Sequence, residues 1–192
     1  GEPVVPVAVK MLQDERWYVV RNMVTVLGGV GSGEAVKALG RLADDPDYRI
    51  RRELARALAR LPGSEADRLL VGLLADREPA VRLTAVDAAA SRRSSEMLDA
   101  LWSCYESSPD WELRAAILRA LGRTGLPEAA ERLEAVARTR PLLHRRRWEA
   151  LQVAALEALA ALGGQAAAAA LERLGPRRAA APPCPAGRPR CP

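Results

Sequence analysis

Acidic and basic side chains recur along this sequence at a fixed spacing. Asp45 and Asp76 each lie six residues ahead of an arginine, Arg51 and Arg82, and Arg114 occupies the same place in a third copy of the pattern. An acid near a helix start and an arginine one turn later bring opposite charges together, where partial burial strengthens their attraction. The pattern indicates either structural ion pairs or a ladder of arginines for a ligand, and we favour structural pairs.

A second set of charged residues lies on the polar side of the same helices. Ile50, Leu54 and Leu58 recur at helical spacing, so the charged residues between them form a separate stripe. This stripe is either a solvated face or a groove that binds a partner. The candidate binding residues are those that recur in two adjacent columns of the stripe: Arg21, Arg52, Arg56, Asp87 and Arg119.

No part of the sequence has the pattern of a catalytic or metal centre. His144 is the one histidine, so a histidine-based dyad or triad has no second member, and the three cysteines lack zinc-site spacing. Cys104 falls in an apolar helical column, whereas Cys184 and Cys191 lie near the C-terminus. We therefore expect no enzymatic activity, no metal and no cofactor. The absence of a disulfide framework favours a reducing compartment, the cytoplasm.

The elements that position these side chains repeat about every 31 residues. Leu39, Leu70 and Leu101 stand 31 residues apart in an apolar column, and each unit is interpreted as two helices joined by a short turn. Asp45 is predicted to cap the second helix of its unit, with Pro46 in the first turn. The predicted N-caps of first helices are Ser32, Ser64 and Ser94.

The composition divides the chain into a helical array and a tail. Residues 1–174 are rich in Ala, Leu and Arg and end in a predicted helix at 165–174, whereas six of the last 17 residues are proline. We expect an all-α array over 1–174 and a disordered Pro/Arg-rich tail over 175–192. No apolar run reaches the ~18 residues that a membrane helix needs, so no membrane partner is expected.

The net charge of +5 is placed unevenly. The tail contributes +4 and residues 1–174 contribute only +1, so nucleic-acid binding is expected to be weak at most. One basic cluster stands out within the array, and it comprises Arg138, Arg140, Arg145, Arg146 and Arg147. This cluster is either a phosphate-binding site or a charged loop, and we favour the loop.

The unit resembles the HEAT family, and in particular the short bacterial HEAT-like repeats of the phycobilin-lyase type. The resemblance is carried by an apolar residue plus arginine in Ile50-Arg51, Val81-Arg82 and Leu113-Arg114, and by the endings Leu27-Gly28 and Leu121-Gly122. The chain departs from the pattern at Val20, Ser108 and Ala155. The resemblance implies a right-handed α-solenoid of about five helix pairs plus one terminal helix, with the second helices lining a concave face. It also implies that the arginine column pairs with the aspartate column and ties neighbouring repeats together.

Repeat scaffolds of one fold host many tasks, so the function is less determined than the fold. We favour a non-enzymatic scaffold or adaptor that binds a protein of unknown identity and is either a monomer or part of a larger chain. One alternative is a nucleic-acid-binding protein that resembles the alkylpurine DNA glycosylases, for which Asp87 and Asp110 beside Trp111 are the catalytic candidates. Another alternative is a relative of the chromophore lyases.

Overall fold

The computed structural model describes residues 4–140 and 143–175 of the chain. This part contains eleven α-helices and no strand, which confirms the all-α prediction. The helices are α1 (Val4–Met11), α2 (Trp17–Val30), α3 (Gly33–Gly40), α4 (Tyr48–Leu58), α5 (Ser64–Leu74), α6 (Pro79–Ser91), α7 (Ser95–Ser107), α8 (Trp111–Arg123), α9 (Ala129–Arg138), α10 (Arg145–Leu162) and α11 (Gly164–Leu174). The predicted tail lies outside the described residues, except for Gly175.

The helices alternate between two layers. Each odd-numbered helix from α1 to α9 is the first helix of a pair, each even-numbered helix is the second, and α11 stands at the end without a second helix. Every second helix packs on the next second helix, and every pair packs on the following pair. The predicted solenoid of five pairs and a terminal helix is therefore confirmed. No helix within residues 4–140 and 143–175 is long and apolar enough to cross a bilayer.

The core runs between the two layers along the predicted apolar columns. Leu39, Leu70, Leu101 and Leu133 of the first helices are fully buried, as are Leu27, Leu58, Ala89 and Leu121 of the second helices. Met11 shares a column with the buried Leu42 and Leu73, yet it is 38% exposed. It is exposed because no described part of the chain packs on that side of α1.

A polar turn leads into the second helices. The carboxylate of Asp45 accepts a hydrogen bond from the backbone N–H of Asp47 (2.8 Å), and the carboxylate of Asp47 accepts one from that of Arg49 (2.9 Å). α4 thus begins at Tyr48 with Asp47 as its N-cap. The predicted cap at Asp45 is wrong, because Asp45 and Pro46 form the turn that precedes the helix. Asp14, Asp76 and Ser108 make the same turn in their own units.

The starts of the first helices agree with the serine prediction in two of three cases. Ser32 and Ser94 each accept a hydrogen bond from the backbone N–H three residues on, as N-caps do. Ser64 is instead the first residue of α5. The cap position there belongs to Gly63, whose φ of +103° favours glycine over any residue with a Cβ atom.

The second helices approach one another more closely than the first helices do. A Cβ atom built on Gly28 would lie 2.7 Å from the Cβ atom of Ala57, and one built on Gly122 would lie 2.5 Å from the carbonyl oxygen of Ala158. Glycine and alanine therefore set the spacing in this layer.

Gly28→Ala should destabilise the protein by about 1–3 kcal/mol, because the added methyl group meets the backbone of α4. Gly29→Ala is the matched control. No atom lies within 4 Å of its Cβ position, so the higher helix propensity of alanine should stabilise the protein by about 0.5–1 kcal/mol. Urea unfolding of both variants checks the prediction, and equal effects of the two substitutions would contradict the close approach.

Candidate functional site

Arg51 joins two successive helix pairs through a bidentate ion pair. Its Nε donates to Oδ2 of Asp76 at 2.7 Å and its Nη2 donates to Oδ1 at 2.9 Å. Its Nη1 donates to the carbonyl oxygen of Asp45 at 2.5 Å. Both charged side chains are almost fully buried. Arg51 in α4 therefore cross-links the turn that precedes its own helix to the turn that precedes α6.

The surroundings of Asp76 keep it ionised. Burial raises the pKa of this carboxyl group, but the hydrogen bonds from Arg51 and from the backbone N–H of Glu78 outweigh burial, so the pKa lies below its ordinary 3.8. The same ion pair raises the pKa of the Arg51 guanidinium. A charge pair that is buried and fully hydrogen-bonded is costly to break, because the partner left behind is unpaired.

The next two arginines of this column have weaker partners. Arg82 donates to the carbonyl oxygen of Asp76 at 2.9 Å, and its Nη2 lies 3.3 Å from Asp110, because Ser108 takes the place of an aspartate. Arg114 donates to the carbonyl oxygen of Glu106 at 3.2 Å, and no carboxylate in the described residues pairs with it. Its Nε is buried without a partner there.

The last pair uses an amide in place of the arginine. Gly122 contacts Ala158 of α10 as Gly28 contacts Ala57 of α4. Gln152 lies six residues before Ala158, as Arg51 lies six residues before Ala57, so Gln152 occupies the arginine position. The side chain of Gln152 donates to the carbonyl oxygen of Thr139 in the preceding turn, as the arginines do in their own turns. The sequence interpretation that set Ala155 at this position is therefore wrong. It allowed a longer segment ahead of α10 but made the step from Arg114 41 residues, whereas the Gly122–Ala158 contact sets it at 38.

A row of polar side chains crosses the exposed side of the second helices. Thr25, Arg56, Asp87, Arg119 and Glu157 occupy equivalent places in α2, α4, α6, α8 and α10. Asp87 accepts a hydrogen bond from Arg123, and Arg119 lies 3.5 Å from Glu157 of the next pair. Glu53 accepts hydrogen bonds from Thr25 (2.9 Å) and Arg56 (3.1 Å). The row thus carries both signs of charge.

Arg21 and Arg52 stand in the column beside this row. The Arg21 guanidinium lies 5.4 Å from the centre of the Trp17 ring and donates to the side chain of Asn22. Arg52 is half-buried, and its Nε has no hydrogen-bond partner among the described residues. The five predicted binding residues therefore lie on the second helices and share one face of that layer. The predicted binding set did not include Glu53, Arg123 and Glu157, which form ion pairs with Arg56, Asp87 and Arg119.

Aromatic rings at the starts of the second helices are stacked against arginines. Arg49 of α4 lies 3.6 Å from the centre of the Trp17 ring in α2, so this contact also links two pairs. Trp111 packs edge-on against Trp148, with ring centres 5.8 Å apart, and the Arg147 guanidinium lies 5.9 Å from the Trp111 ring centre. These rings therefore pack between successive helix pairs.

The basic cluster lies around the start of α10. Arg145, Arg146 and Arg147 occupy the first turn of this helix and are exposed. The helix has no side-chain cap and no acid in its first turn. Arg138 is paired with Glu134, which also binds Arg173 of α11. The cluster is therefore an exposed basic patch on the array and not an extension of the polar row.

Two grooves beside the buried ion pairs are lined by the turns between helices. One, of about 550 Å³, lies between α5, α7 and the turn before α8, and Cys104 and Val71 contribute to its wall. The Cys104 thiol lies 3.7 Å from the carbonyl oxygen of Leu74, and burial raises the pKa of this thiol. A protonated, half-buried thiol is a weak nucleophile, so Cys104 is a structural residue.

The acids considered for catalysis have structural partners. Asp110 is the N-cap of α8, where it accepts hydrogen bonds from the backbone N–H groups of Glu112 and Leu113. Asp87 is exposed and paired with Arg123. Within residues 4–140 and 143–175, no group of three or more His, Cys, Asp or Glu side chains could hold a metal ion.

Comparison with known proteins defines the class of protein that this architecture represents. A sequence model described as HEAT repeats matches residues 5–79 and 66–153. The chain therefore belongs to the HEAT repeat family. No curated protein sequence matches the chain.

Solved structures share the fold at low sequence identity. Human deoxyhypusine hydroxylase in complex with glycerol is 24% identical with a TM-score of 0.58, and the match covers 90% of this chain and 67% of the hydroxylase. One engineered protein is 22% identical with a TM-score of 0.52, covering 89% of this chain and 85% of its own. Another is 19% identical with a TM-score of 0.50, covering 89% and 98%. Similarity at this level supports the fold alone.

Asp76→Asn should destabilise the protein by about 3–5 kcal/mol, because it leaves the buried Arg51 charge without a carboxylate. The amide oxygen of the new side chain can still accept from the Glu78 N–H, so the change isolates the ion pair. Asp99→Asn is the matched control, because the Asp99–Arg132 pair is exposed and should contribute about 0–1 kcal/mol. Chemical unfolding measures both variants, and a small effect at Asp76 would contradict the structural role of this pair.

The contribution of Asp76 should also depend on acidity. Since the folded-state pKa lies below 3.8, the pair stabilises the protein fully above the unfolded-state pKa, and this stability is lost as pH falls from 3.8 through the folded-state pKa. The difference in unfolding free energy between the original protein and Asp76→Asn should therefore be constant from pH 5 to 7 and shrink below about pH 4. A difference that does not change down to pH 2.5 would contradict the lowered pKa.

Proposed function

We propose that this protein is a non-enzymatic scaffold that binds another protein through the layer of second helices. The proposed binding residues are Arg21, Arg52, Arg56, Asp87 and Arg119. The observation that carries the proposal is the alternation of charge along the polar row, where Arg56, Asp87 and Arg119 come from three successive helix pairs. A row of alternating sign matches a polypeptide, which carries both signs of charge, better than it matches a phosphate backbone.

The spacing of the row supports an extended segment as the bound form. Packed helices lie about 8–10 Å apart, and an extended chain advances about 3.3 Å per residue. Successive helix pairs would then meet every third residue of the bound segment. We infer that the segment carries an acid opposite Arg56, a base opposite Asp87 and an acid opposite Arg119.

The state of the arginines supports the same proposal. Arg56 is exposed and retains a side that Glu53 does not cover. Arg52 beside it has a buried Nε with no partner in the described part of the chain. A buried donor without an acceptor costs free energy, and a movement of the Arg52 side chain toward an acceptor on a bound segment removes that cost. The two arginines therefore form the strongest candidate anchor of the surface.

Nucleic-acid binding is the second candidate function, and the basic cluster at the start of α10 is the observation that favours it. Binding to DNA grows with the number of phosphates neutralised, and the affinity then falls steeply with salt. The polar row cannot supply such a surface, because Asp87 and Glu157 lie within it and Glu53 pairs with Arg56. DNA affinity is therefore expected in the cluster at 138–147 and in residues 176–192, and not in the polar row.

Arg52→Glu combined with Arg56→Glu tests the proposal. The probe is a labelled peptide with the pattern Asp-x-x-Lys-x-x-Asp, which is the same in both chain directions. The double reversal should abolish its binding in fluorescence anisotropy, because it places acid against acid. Lys37→Glu with Arg68→Glu is the matched control, since both residues are exposed on first helices, and it should leave binding unchanged.

A labelled DNA duplex provides the second arm of the same experiment. With residues 176–192 removed, the array should bind duplex DNA with a dissociation constant of about 10⁻⁴ M or weaker near physiological salt. Arg52→Glu with Arg56→Glu should change this DNA affinity little. Micromolar DNA binding that the double reversal abolishes would contradict the scaffold proposal, and Asp87 and Asp110 would then be tested for glycosylase activity.

A further inference from the structure

The outer side of the first helix pair, which faces away from α3 and α4, exposes apolar residues. Val4 and Val7 of α1 are 46% and 61% exposed, and Met11 and Val26 are each 38% exposed. Tyr18 at the start of α2 is 46% exposed. These side chains form the outer face of the array. No comparable group of large apolar side chains is exposed together elsewhere in residues 4–140 and 143–175.

The positions equivalent to Val4 and Val26 are buried in the later pairs, whereas those equivalent to Tyr18 are partly or fully exposed. The counterparts of Val26 are Ala57, Ala88, Ala120 and Ala158, all at most 5% exposed. The counterparts of Val4 in the next three pairs are Ala35, Ala66 and Met97, all at most 1% exposed. In each later pair these columns are covered by the preceding pair, as the approach of Ala57 to Gly28 illustrates. The outer face of α1 and α2 thus has the residues of an interface between repeats.

The composition of this face is not that of a cap. A terminal repeat that ends an array in water presents a polar outer face, whereas three valines, a methionine and a tyrosine stand here. Exposed apolar groups that form one contiguous surface mark an interaction site. Burying them removes apolar area from water, which is the favourable term in repeat stacking.

Asp14 adds a polar feature to the same side. Its Oδ1 accepts a hydrogen bond from the Arg16 backbone N–H at 2.9 Å, as Asp76 accepts one from Glu78 at 2.8 Å. Asp76 also binds Arg51 of the preceding pair. Among the described residues, the Asp14 carboxylate is held by its neighbour Arg16 alone, whose side chain is 60% exposed. Hydrogen bonds from Arg16 lower the pKa of Asp14 to about 2, so this acceptor is charged at neutral pH.

We propose that the outer face of α1 and α2 is a docking surface for a partner of the HEAT type. The occupant is a helix pair that stacks here as α1 and α2 stack on α3 and α4. It carries a glycine or alanine where Gly28 stands, so that its second helix approaches Val26 closely. It also carries an arginine where Arg51 stands, which binds Asp14. The apolar columns set the position of this pair, and the ion pair fixes its register.

A second copy of this chain does not fit that description. The far end of the array presents Gln152, not an arginine, at the position that must reach Asp14. Stacking in the register of α4 on α6 requires an arginine that reaches Asp14, so the occupant is a different HEAT-type helix pair.

The experiment uses a helix pair of known sequence as the probe. Residues 33–62, which hold α3 and α4, are joined directly ahead of Gly1 of the full chain. This junction places the added copy of Arg51 25 residues ahead of Asp14, the same separation that Arg51 has from Asp76. The added segment should fold, so that the helical circular dichroism per residue is maintained. Hydrogen exchange in α1 and α2 should slow by about tenfold or more, because a covered repeat opens less often.

Two control variants separate docking from general effects. Val7→Lys with Val26→Lys changes side chains that are already exposed, so it should not alter the unfolding midpoint of the original chain, yet it should prevent protection in the extended one. Arg51→Met in the added copy alone should reduce the protection while the original Arg51 remains intact. Sedimentation of the original chain is measured in parallel and should show a monomer.

Either of two results would overturn the proposal. One is an added segment that stays unfolded, with hydrogen exchange in α1 and α2 the same as in the original chain. The other is a dimer of the original chain that Val7→Lys with Val26→Lys dissociates, because the face would then belong to a second copy. Protection that depends on Val7, Val26 and the added arginine supports the docking surface. This result is independent of the protein binding proposed above for the polar row.

Discussion

The structure depends on the fact that no helix pair of this chain can bury its apolar residues by itself. Each pair covers the outer columns of the next, so the core exists only as a stack. The closest contact of that stack is between second helices, where Gly28 meets Ala57 and Gly122 meets Ala158. Glycine and alanine at these contacts therefore set the spacing between successive second helices.

The buried ion pairs fix the offset between neighbouring helix pairs, which apolar contacts alone would not determine. Arg51 binds the turn before its own helix and the turn before the next second helix, so it fixes the offset between two pairs. The quality of this link declines along the chain. Arg82 has one long contact with Asp110, Arg114 has no carboxylate in the described part, and Gln152 provides only an amide. The junction between α4 and α6 is therefore the one whose register this ion pair fixes most firmly.

The two candidate surfaces follow from the same stacking. The polar row arises because equivalent positions of successive pairs align on the side that stacking leaves open, and ion pairs such as Arg119 with Glu157 then join neighbours across it. The outer face of the first pair arises because stacking continues only toward α3 and α4 in the described residues. One surface is polar and mixed in charge and suits an extended segment, whereas the other is apolar and suits a helix pair.

The sequence by itself determined the period, the helical class and the buried columns. Leucines 31 residues apart on amphipathic helices are buried when successive helix pairs stack. The helical spacing of the apolar residues therefore indicates which side of each helix is buried. It also placed Arg51 and Asp76 in the same structural role, because charges of opposite sign recurred at helix starts.

Only the tertiary structure decided which acid each arginine meets. The partner of Arg51 is Asp76, 25 residues away in the next pair, and this pairing depends on the distance between stacked turns. The start of α4 at Tyr48 depends on the hydrogen bond from the Asp47 backbone N–H to the Asp45 carboxylate, because this bond places Asp45 in the preceding turn and leaves Asp47 as the N-cap. The alignment of Gln152 with the arginine column required the Gly122 contact, because the longer segment before α10 breaks the sequence period. Side-chain partners across repeats are set by packing in three dimensions, which periodicity along the chain does not encode.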